Sequence, residues 1–495
     1  MQIIARQSVL TTISSYIGVV IGYVNLLWLF PYMLSPQQIG TFKTIQDMGL
    51  LLVPFAQLGL GHGITRFYPQ VKKHQNAFFT LSLAFTLLGF SVIAFLFVTF
   101  RQQIIAAYAT NAPELIDYLS IVLFITLFAT INSVFDAFTR SFVKIAVPTF
   151  LREVLLRLLI TCLVSAYFLE WLSFIWMIWG LAGAYLLTLL LTTGYMLKLG
   201  IFKIDMAWRV LPKKFQTEFL RYSLITLLGT AGAMLIMKID SLMVSSMIGL
   251  DANAVYTIGF SIAVVIEMPR RAISQVAMPI ISEKFASNLL HEINDLYKKI
   301  AVHQSLVCIL IFLLIWTNID NLYHFVPNRE VYEAGKWVVL LIGIGKLSDV
   351  LFSVNGEIIV FSRFYIFNIT ATLLMSIAVI LLNLWLIPVL GLEGAALASL
   401  LAMIIYNLLK YFYIKIRLNF SPFSWDLFKT LTLGVAVFTF SHYILPNIRN
   451  VFLDIGVRSL ATAGLFTAGI YLLKIAPSTQ EMAIKKIKTL FQRTS

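Results

Sequence analysis

The residues of this chain whose chemistry needs explaining are charges set inside long apolar runs. Lys43 and Asp47 stand four apart in one run, Asp240, Arg271, Lys346 and Asp349 occur in later ones, and Arg152, Glu153 and Arg157 interrupt another. In hydrocarbon an ionised side chain costs roughly 2.5–3.5 kcal/mol on insertion scales, so each needs a partner or a watery cavity. The i, i+4 spacing of Lys43 and Asp47 fits a local ion pair, and Lys346 and Asp349 at i, i+3 pose the same choice. Asp136, in the run before Arg152 and Arg157, is placed to neutralise one of them. Arg271 lies near the end of its run, where snorkelling to the interface competes with ligand binding. Lysine and arginine in a cavity suit phosphate oxygens, because charge-assisted contacts there are strong.

These charges sort onto helical faces. Lys43, Asp47, Pro54 and Gln57 form one stripe, and Thr11, Ser15, Gly18, Gly22 and Asn25 form another on the preceding helix. Later in the chain Thr226, Thr230, Ala233, Met237 and Asp240 share a face, as do Thr257, Ser261, Met268 and Arg271. The four faces are expected to line a central cavity, with close helix packing as the competing use of small residues. Lys238 lies about 200° around its helix from Asp240, so the two cannot face one cavity together.

The elements that carry these faces must be membrane helices. The 495 residues are 59% hydrophobic and 12% charged, with mean hydropathy +0.88; soluble domains carry about 25% charged residues. Apolar runs of about 20 residues fill the chain. Fourteen helices are predicted, at 8–30, 40–60, 78–99, 115–138, 147–169, 171–197, 220–243, 254–278, 298–317, 335–356, 363–386, 393–414, 427–446 and 455–475. Alternate loops of this all-α map carry 25 lysines and arginines against three (Arg101, Arg329 and Arg449) on the other side. That asymmetry puts both termini in the cytoplasm. It also absorbs the net charge of +14 without invoking nucleic acid. The run after Arg6 reads as a retained first helix. Trp208 and Phe215 beside Lys213 and Lys214 suggest a segment lying on an anionic leaflet, with the basic tail Lys485, Lys486 and Lys488 acting alike. Cys162 and Cys308 fall inside apolar runs, so no disulfide framework is indicated.

An internal repeat organises the map. Gly180-Leu181-Ala182-Gly183-Ala184 recurs as Gly391-Leu392-Glu393-Gly394-Ala395, an offset of 211. Gly40-Thr41-Phe42 is echoed by Ala254-Val255-Tyr256 at an offset of 214, and Arg6 by Arg221. The expected organisation is a six-helix lobe (1–198), a connector (199–219), a second, pseudo-symmetric six-helix lobe (220–415), an extra helix pair (416–475) and a tail (476–495). An even-numbered unit gives parallel repeats, known in transporters that bind substrate between halves and rock them.

Gly40-Thr41-Phe42, the exit Leu58-Gly59-Leu60 with Arg66, and the repeated G-L-x-G-A resemble the polysaccharide transporter family. These are the lipid-linked oligosaccharide flippases of the multidrug/oligosaccharidyl-lipid/polysaccharide superfamily. The resemblance covers the first twelve helices, and a total of fourteen fits that branch, whereas drug antiporters of the superfamily usually have twelve. It implies a flippase in a bacterial or archaeal cytoplasmic membrane, moving a polyprenyl-diphosphate-linked oligosaccharide by alternating access for surface polysaccharide assembly. Membrane lipids and other polysaccharide assembly proteins are its implied partners, and it needs no cofactor. Lys43, Asp47, Gln57, Asn25, Asp240, Arg271 and Lys346 are the cavity candidates; Asp47, Asp240 and Asp349 are those for coupling to protons or sodium. The alternative is an ion-coupled drug or metabolite antiporter, which usually carries a carboxylate in its first or seventh helix; here only Asp240, in the seventh, qualifies. A membrane enzyme is disfavoured: no large loop exists to hold catalytic groups, the six histidines are scattered without ligand spacing, and no Gly-x4-Gly-Lys phosphate loop occurs.

Overall fold

The computed structural model describes residues 2–206, 210–445 and 448–477, which are mostly helical, without a strand among them. The long helices are α1 (Arg6–Met33), α2 (Pro36–Ala56, then Leu60–Gln70 after a 45° bend), α3 (Lys72–Thr99), α4 (Pro113–Ser141) and α6 (Phe174–Lys198). Between the last two, α5 runs as Ala146–Phe150, a π-helical turn Leu151–Leu155, and Leu156–Phe168. There follow α7 (Lys213–Met247), α8 (Leu250–Ala286), α9 (Leu290–Thr317), α10 (Arg329–Leu351, then Asn355–Phe361 after a 46° bend), α11 (Tyr365–Leu390) and α12 (Leu392–Leu418). The series ends with α13 (Trp425–Tyr443) and α14 (Val451–Leu472).

Ten of the described helices are long and apolar enough to cross a membrane, or twelve if each bent pair is one span. This is a multi-pass membrane protein. A helix stands at each of the fourteen expected places, but α5 and α13 fall short of that measure, so fourteen crossings are not confirmed. The outward faces are apolar: Phe95, Trp176, Leu381 and Trp385 are all 60% exposed or more, as lipid contact requires.

Three helices outrun their apolar cores. α7 begins at Lys213 rather than 220, α8 continues to Ala286, and α9 starts at Leu290, so the loop expected at 279–297 shrinks to Ser287–Leu289. Hydropathy marks only the part of a helix in hydrocarbon; the backbone stays hydrogen-bonded as charged turns leave it. The expected leaflet-lying segment is also corrected where it is described. Phe215 opens α7 and packs edge-on against Phe67 and Phe78, with ring centroids 5.7 Å apart in each case, inside a helix-packed aromatic core. Trp208 and the tail lysines lie outside the described residues.

The chain gathers into two compact units: residues up to 258 with 326–331 and 376–395, and residues 259–325, 332–375 and from 396 onward. In the first, α2 is the pivot. Ser35 starts it with a capping box, its Oγ accepting from Gln38 N at 3.2 Å while Gln38 Oε1 accepts from Ser35 N at 3.0 Å. Pro36 fills the first turn, where no N–H is needed. Pro54 removes a donor near the other end, and Leu58 (φ 54°) and Gly59 (φ 68°) turn left-handed, which breaks the helix. Gly59 is required twice, by its φ and because a Cβ would lie 2.2 Å from Ser223 O of α7. At the start of α2 a Cβ on Gly40 would lie 1.9 Å from Leu250 O. Between these glycines Thr44 Oγ1 meets Ser245 Oγ at 2.6 Å and accepts from Asn253 Nδ2 at 2.9 Å. Lipid offers no hydrophobic drive for such contacts, so close backbones and polar bridges hold α2 to α7 and the start of α8.

Candidate functional site

Within the first unit, charge collects where α1, α2, α5 and α7 meet. Lys238 Nζ of α7 donates to Asp47 Oδ1 of α2 at 2.6 Å, with their side chains 22% and 7% exposed. This corrects the expected Lys43–Asp47 pair. The acid one turn away is taken by a cation of another helix, and Lys43 is left with no ion-pair or hydrogen-bond partner among the described residues. Lys43 instead lies in electrostatic range of Asp47, Lys238 and Arg157. Gln46 Nε2 donates to Tyr185 Oη of α6 at 3.2 Å, and Tyr185 shares the neighbourhood of Asp47 and Arg157.

Gly18 and Gly22 of the α1 stripe are covered by α5. A Cβ on Gly18 would lie 2.5 Å from Glu153 O, and one on Gly22 would lie 2.7 Å from Arg157 Nη1. The pair, spaced as small-xxx-small, lets α5 press onto α1, so packing is the use this face is put to. Arg157 Nη1 reaches across to Gly18 O, and its Nη2 meets Glu153 Oε2 at 3.3 Å. Asn25 begins a π-helical turn of α1 and clamps α5 from the other side. Its Nδ2 donates to Arg157 O at 3.3 Å and its Oδ1 accepts from Thr161 Oγ1 at 2.9 Å. Each helix has a π turn along this seam, Asn25–Leu29 in α1 and Leu151–Leu155 in α5, a feature often found at functional sites. Arg152 pairs with Asp136, as its position in the chain anticipates.

Asp240, also on α7, is turned away from Lys238. It accepts from Tyr256 Oη at 2.9 Å and from Asn383 Nδ2 at 2.6 Å. The other members of its predicted face, Thr226 and Thr230, hydrogen-bond locally, and Thr226 Oγ1 also donates to Gly59 O at 3.2 Å, caring for a carbonyl freed by the break in α2. Gln57 ends the first segment of α2 at that break, its amide beside Gly61.

A second cluster belongs to the second unit. Glu267 sits in a 3-10 turn of α8 (Val265–Glu267) and accepts from Lys346 Nζ at 2.8 Å and Arg271 Nε at 3.2 Å, with Arg270 Nη1 3.7 Å away. Arg270 Nη1 also meets Asp349 Oδ2 at 3.0 Å. The expected Lys346–Asp349 pair is therefore corrected too, because each residue takes a partner on α8. Arg271 is half exposed while holding Glu267, so it is both paired and accessible. This cluster adjoins the break in α10. Val350 O accepts from Gln304 Nε2 at 2.6 Å, Phe352 O from Tyr297 Oη at 3.0 Å, and Ser353 O from Arg270 Nη2 at 3.3 Å. Tyr297 and Arg270 thus satisfy carbonyls at the break, and Gln304 adds a second bond to Val350 O, which also accepts from Ser353 N at 3.0 Å.

Sequence reasoning missed Glu267 and Arg270 and set Lys238 and Arg157 aside. Glu267 was detectable, standing i−3 and i−4 to two arginines; Lys238 was not, since its partner is 191 positions away. The cations in the first cluster (Lys43, Arg157, Lys238) exceed its acids (Asp47, Glu153) by one, leaving a local surplus suited to an anion. No group of three or more His, Cys, Asp or Glu able to hold a metal occurs among the described residues.

Comparison with known proteins follows the geometry. No curated protein matches the sequence. Among solved structures, the lipid II flippase MurJ in an inward closed conformation aligns with TM-score 0.73 at 13% identity, over 94% of this chain and 98% of that one. An inward-facing multidrug resistance MATE family transporter of the MOP superfamily aligns with TM-score 0.60 at 15% identity, over 83% and 94%. A MOP superfamily transporter from Pyrococcus furiosus aligns with TM-score 0.55 at 14% identity, over 84% and 95%. The fold is thus one used by flippases and transporters, not enzymes. The profile of the family described as polysaccharide biosynthesis protein matches residues 4–285, more than half of the sequence, and the chain belongs to that family.

Proposed function

We propose that this protein is a flippase that carries a polyprenyl-diphosphate-linked oligosaccharide across a bacterial or archaeal cytoplasmic membrane, for surface polysaccharide biosynthesis. The observation that carries the reading is Lys43: an ammonium inside a membrane helix, without a partner, at the edge of a cluster whose cations outnumber its acids. A dianionic head group supplies the counter-charge that the chain itself lacks, and charge-assisted contacts to its oxygens are strong. Arg157 and Lys238 frame the same site, and Gln46 and Tyr185 offer neutral donors for sugar hydroxyls. In the second unit the half-exposed Arg271 and its partners Glu267 and Lys346 form a second station for the head group. Transport proceeds by alternating access of the two six-helix lobes, 1–198 and 220–415, with both termini in the cytoplasm. Proton or sodium coupling falls to Asp47, Asp240 and Asp349.

Surface glycan measured in cells that depend on this protein tests the reading. The Lys43→Ala/Arg271→Ala double variant should reach the membrane at normal level and export at least about 10-fold less glycan, since each lost charged contact is worth about 1.5–3 kcal/mol. Undiminished export by the double variant overturns the assignment.

A further inference from the structure

A groove of about 590 Å³ runs along α7 in the first unit, walled by Leu220, Leu224 and Leu228 with Phe85 of α3, and bearing Arg221 and Thr217 at one end. We propose that this groove holds an anionic glycerophospholipid, its phosphate on Arg221 and one acyl chain along the leucines.

The register of α7 supports this occupant. Its 35 residues at 1.5 Å rise make a rod of about 52 Å, far longer than a hydrocarbon core of about 30 Å. The apolar stretch from Tyr222 to Met237 fills much of that core, so Arg221 falls at the boundary and the turn carrying Lys213 and Lys214 falls in the headgroup layer. Phospholipid phosphates occupy that boundary. Arg221 is exposed and has no hydrogen-bond or ion-pair partner among the described residues. Glu218, one turn earlier, is neither paired with it nor part of the groove wall. Below Arg221 the surface is purely apolar: Leu224 is 42% and Leu228 47% exposed, and the Phe85 ring closes the side. A guanidinium at the phosphate level over an aliphatic channel matches one phospholipid molecule, whereas a soluble anion would leave the channel unfilled. The basic turn at Lys213 and Lys214 biases the choice toward acidic lipid.

The test uses the purified full chain, washed free of lipid in detergent and incubated with phosphatidylglycerol, phosphatidylcholine or a polyprenyl phosphate, with retained lipid counted by native mass spectrometry. Phosphatidylglycerol should be retained at least about tenfold over phosphatidylcholine. Arg221→Gln should lower that retention about tenfold, Arg221→Lys should keep most of it, and Leu228→Trp should lower retention by filling the channel while Arg221 remains. Equal retention of the two phospholipids, or unchanged retention by Arg221→Gln and Leu228→Trp, overturns the proposal. So does displacement of phosphatidylglycerol by the polyprenyl phosphate, which would give the groove to a substrate lipid. None of these outcomes depends on whether the protein is a flippase.

Discussion

Removing the Lys238 ammonium should destabilise the protein, whereas removing the Lys43 ammonium, the cation nearest in sequence to Asp47, should not. At 2.6 Å and an effective dielectric constant of about 20, the Lys238–Asp47 attraction is about 6 kcal/mol, and desolvation of both groups offsets most of it. Stripping one partner leaves the other charge buried, which costs about 3–5 kcal/mol at a fully buried site. Here Asp47 is 7% exposed and Lys238 22%, and Lys43 can swing toward the abandoned carboxylate from one turn away, recovering about 0.5 kcal/mol. A loss of about 2–3 kcal/mol is therefore expected for Lys238→Met. Lys43→Met removes a cation that repels Lys238 and Arg157, so stability should hold or rise slightly while glycan export falls. Thermal unfolding of the detergent-purified variants ranks them. The double variant Lys238→Met/Asp47→Asn should recover part of the loss, because no lone charge then remains. If Lys43→Met melts lower than Lys238→Met, the local i, i+4 pair is the real one and the charge surplus assigned to Lys43 disappears.

Other substitutions probe the scaffold. Gly40→Val should prevent α2 from seating on Leu250 O and abolish accumulation of folded protein in the membrane, read by fluorescence-detected size exclusion; normal yield would deny the close approach. Gly22→Ala should displace the Arg157 guanidinium and cut export several-fold with little change in melting, whereas Gly18→Ala, whose Cβ meets backbone, should lower the melting temperature as well. Gln304→Leu removes one of two hydrogen bonds to Val350 O at the break of α10, the other coming from Ser353 N at 3.0 Å, and should cost about 0.5–1.5 kcal/mol. An unaltered melt for Gln304→Leu would mean that the backbone bond from Ser353 N alone satisfies that carbonyl.

What was legible in the sequence followed from rules that act within one helix. Hydrophobic length set the places of the helices, but the cap formed by Ser35 and Gln38 starts α2 at Pro36, four residues before the expected 40. The i, i+3 and i, i+4 rule correctly relates Glu267 to Arg270 and Arg271, because those groups share a helix. It failed for Lys43 with Asp47 and Lys346 with Asp349, where a cation from another helix reaches the acid first. Once helices pack, a partner's position depends on which faces meet, and the glycines decide that. Gly18 and Gly22 are equally consistent with a pore wall and a tight seam; only the presence of the α5 backbone 2.5 Å from a Gly18 Cβ resolves the two. The helix extensions at Lys213, Ala286 and Leu290 escaped because hydropathy stops where the hydrocarbon stops.

The repeat acquires a sharper meaning from the same contrast. At the offset of 214, Lys43 and Asp47 correspond to Thr257 and Ser261, so the cation without a partner has no counterpart in the second copy. Pro54, Leu58 and Gly59, which break α2, correspond to Met268, Ala272 and Ile273, which lie in the unbroken helix Met268–Ala286. The interruption of α8 instead falls at Val265–Glu267, and Glu267 gathers three cations there. The expected repeat thus does not set the positions of the breaks or charges. A pocket built from two equivalent halves would present an anion with the same charges in each half. The two charge clusters differ in make-up, and under the proposed function they would bind a head group with unequal strength. Restoring the symmetry tests this directly: Ser261→Asp with Thr257→Lys should slow export even in a protein that melts normally, because it adds a second strong station where the second copy carries none.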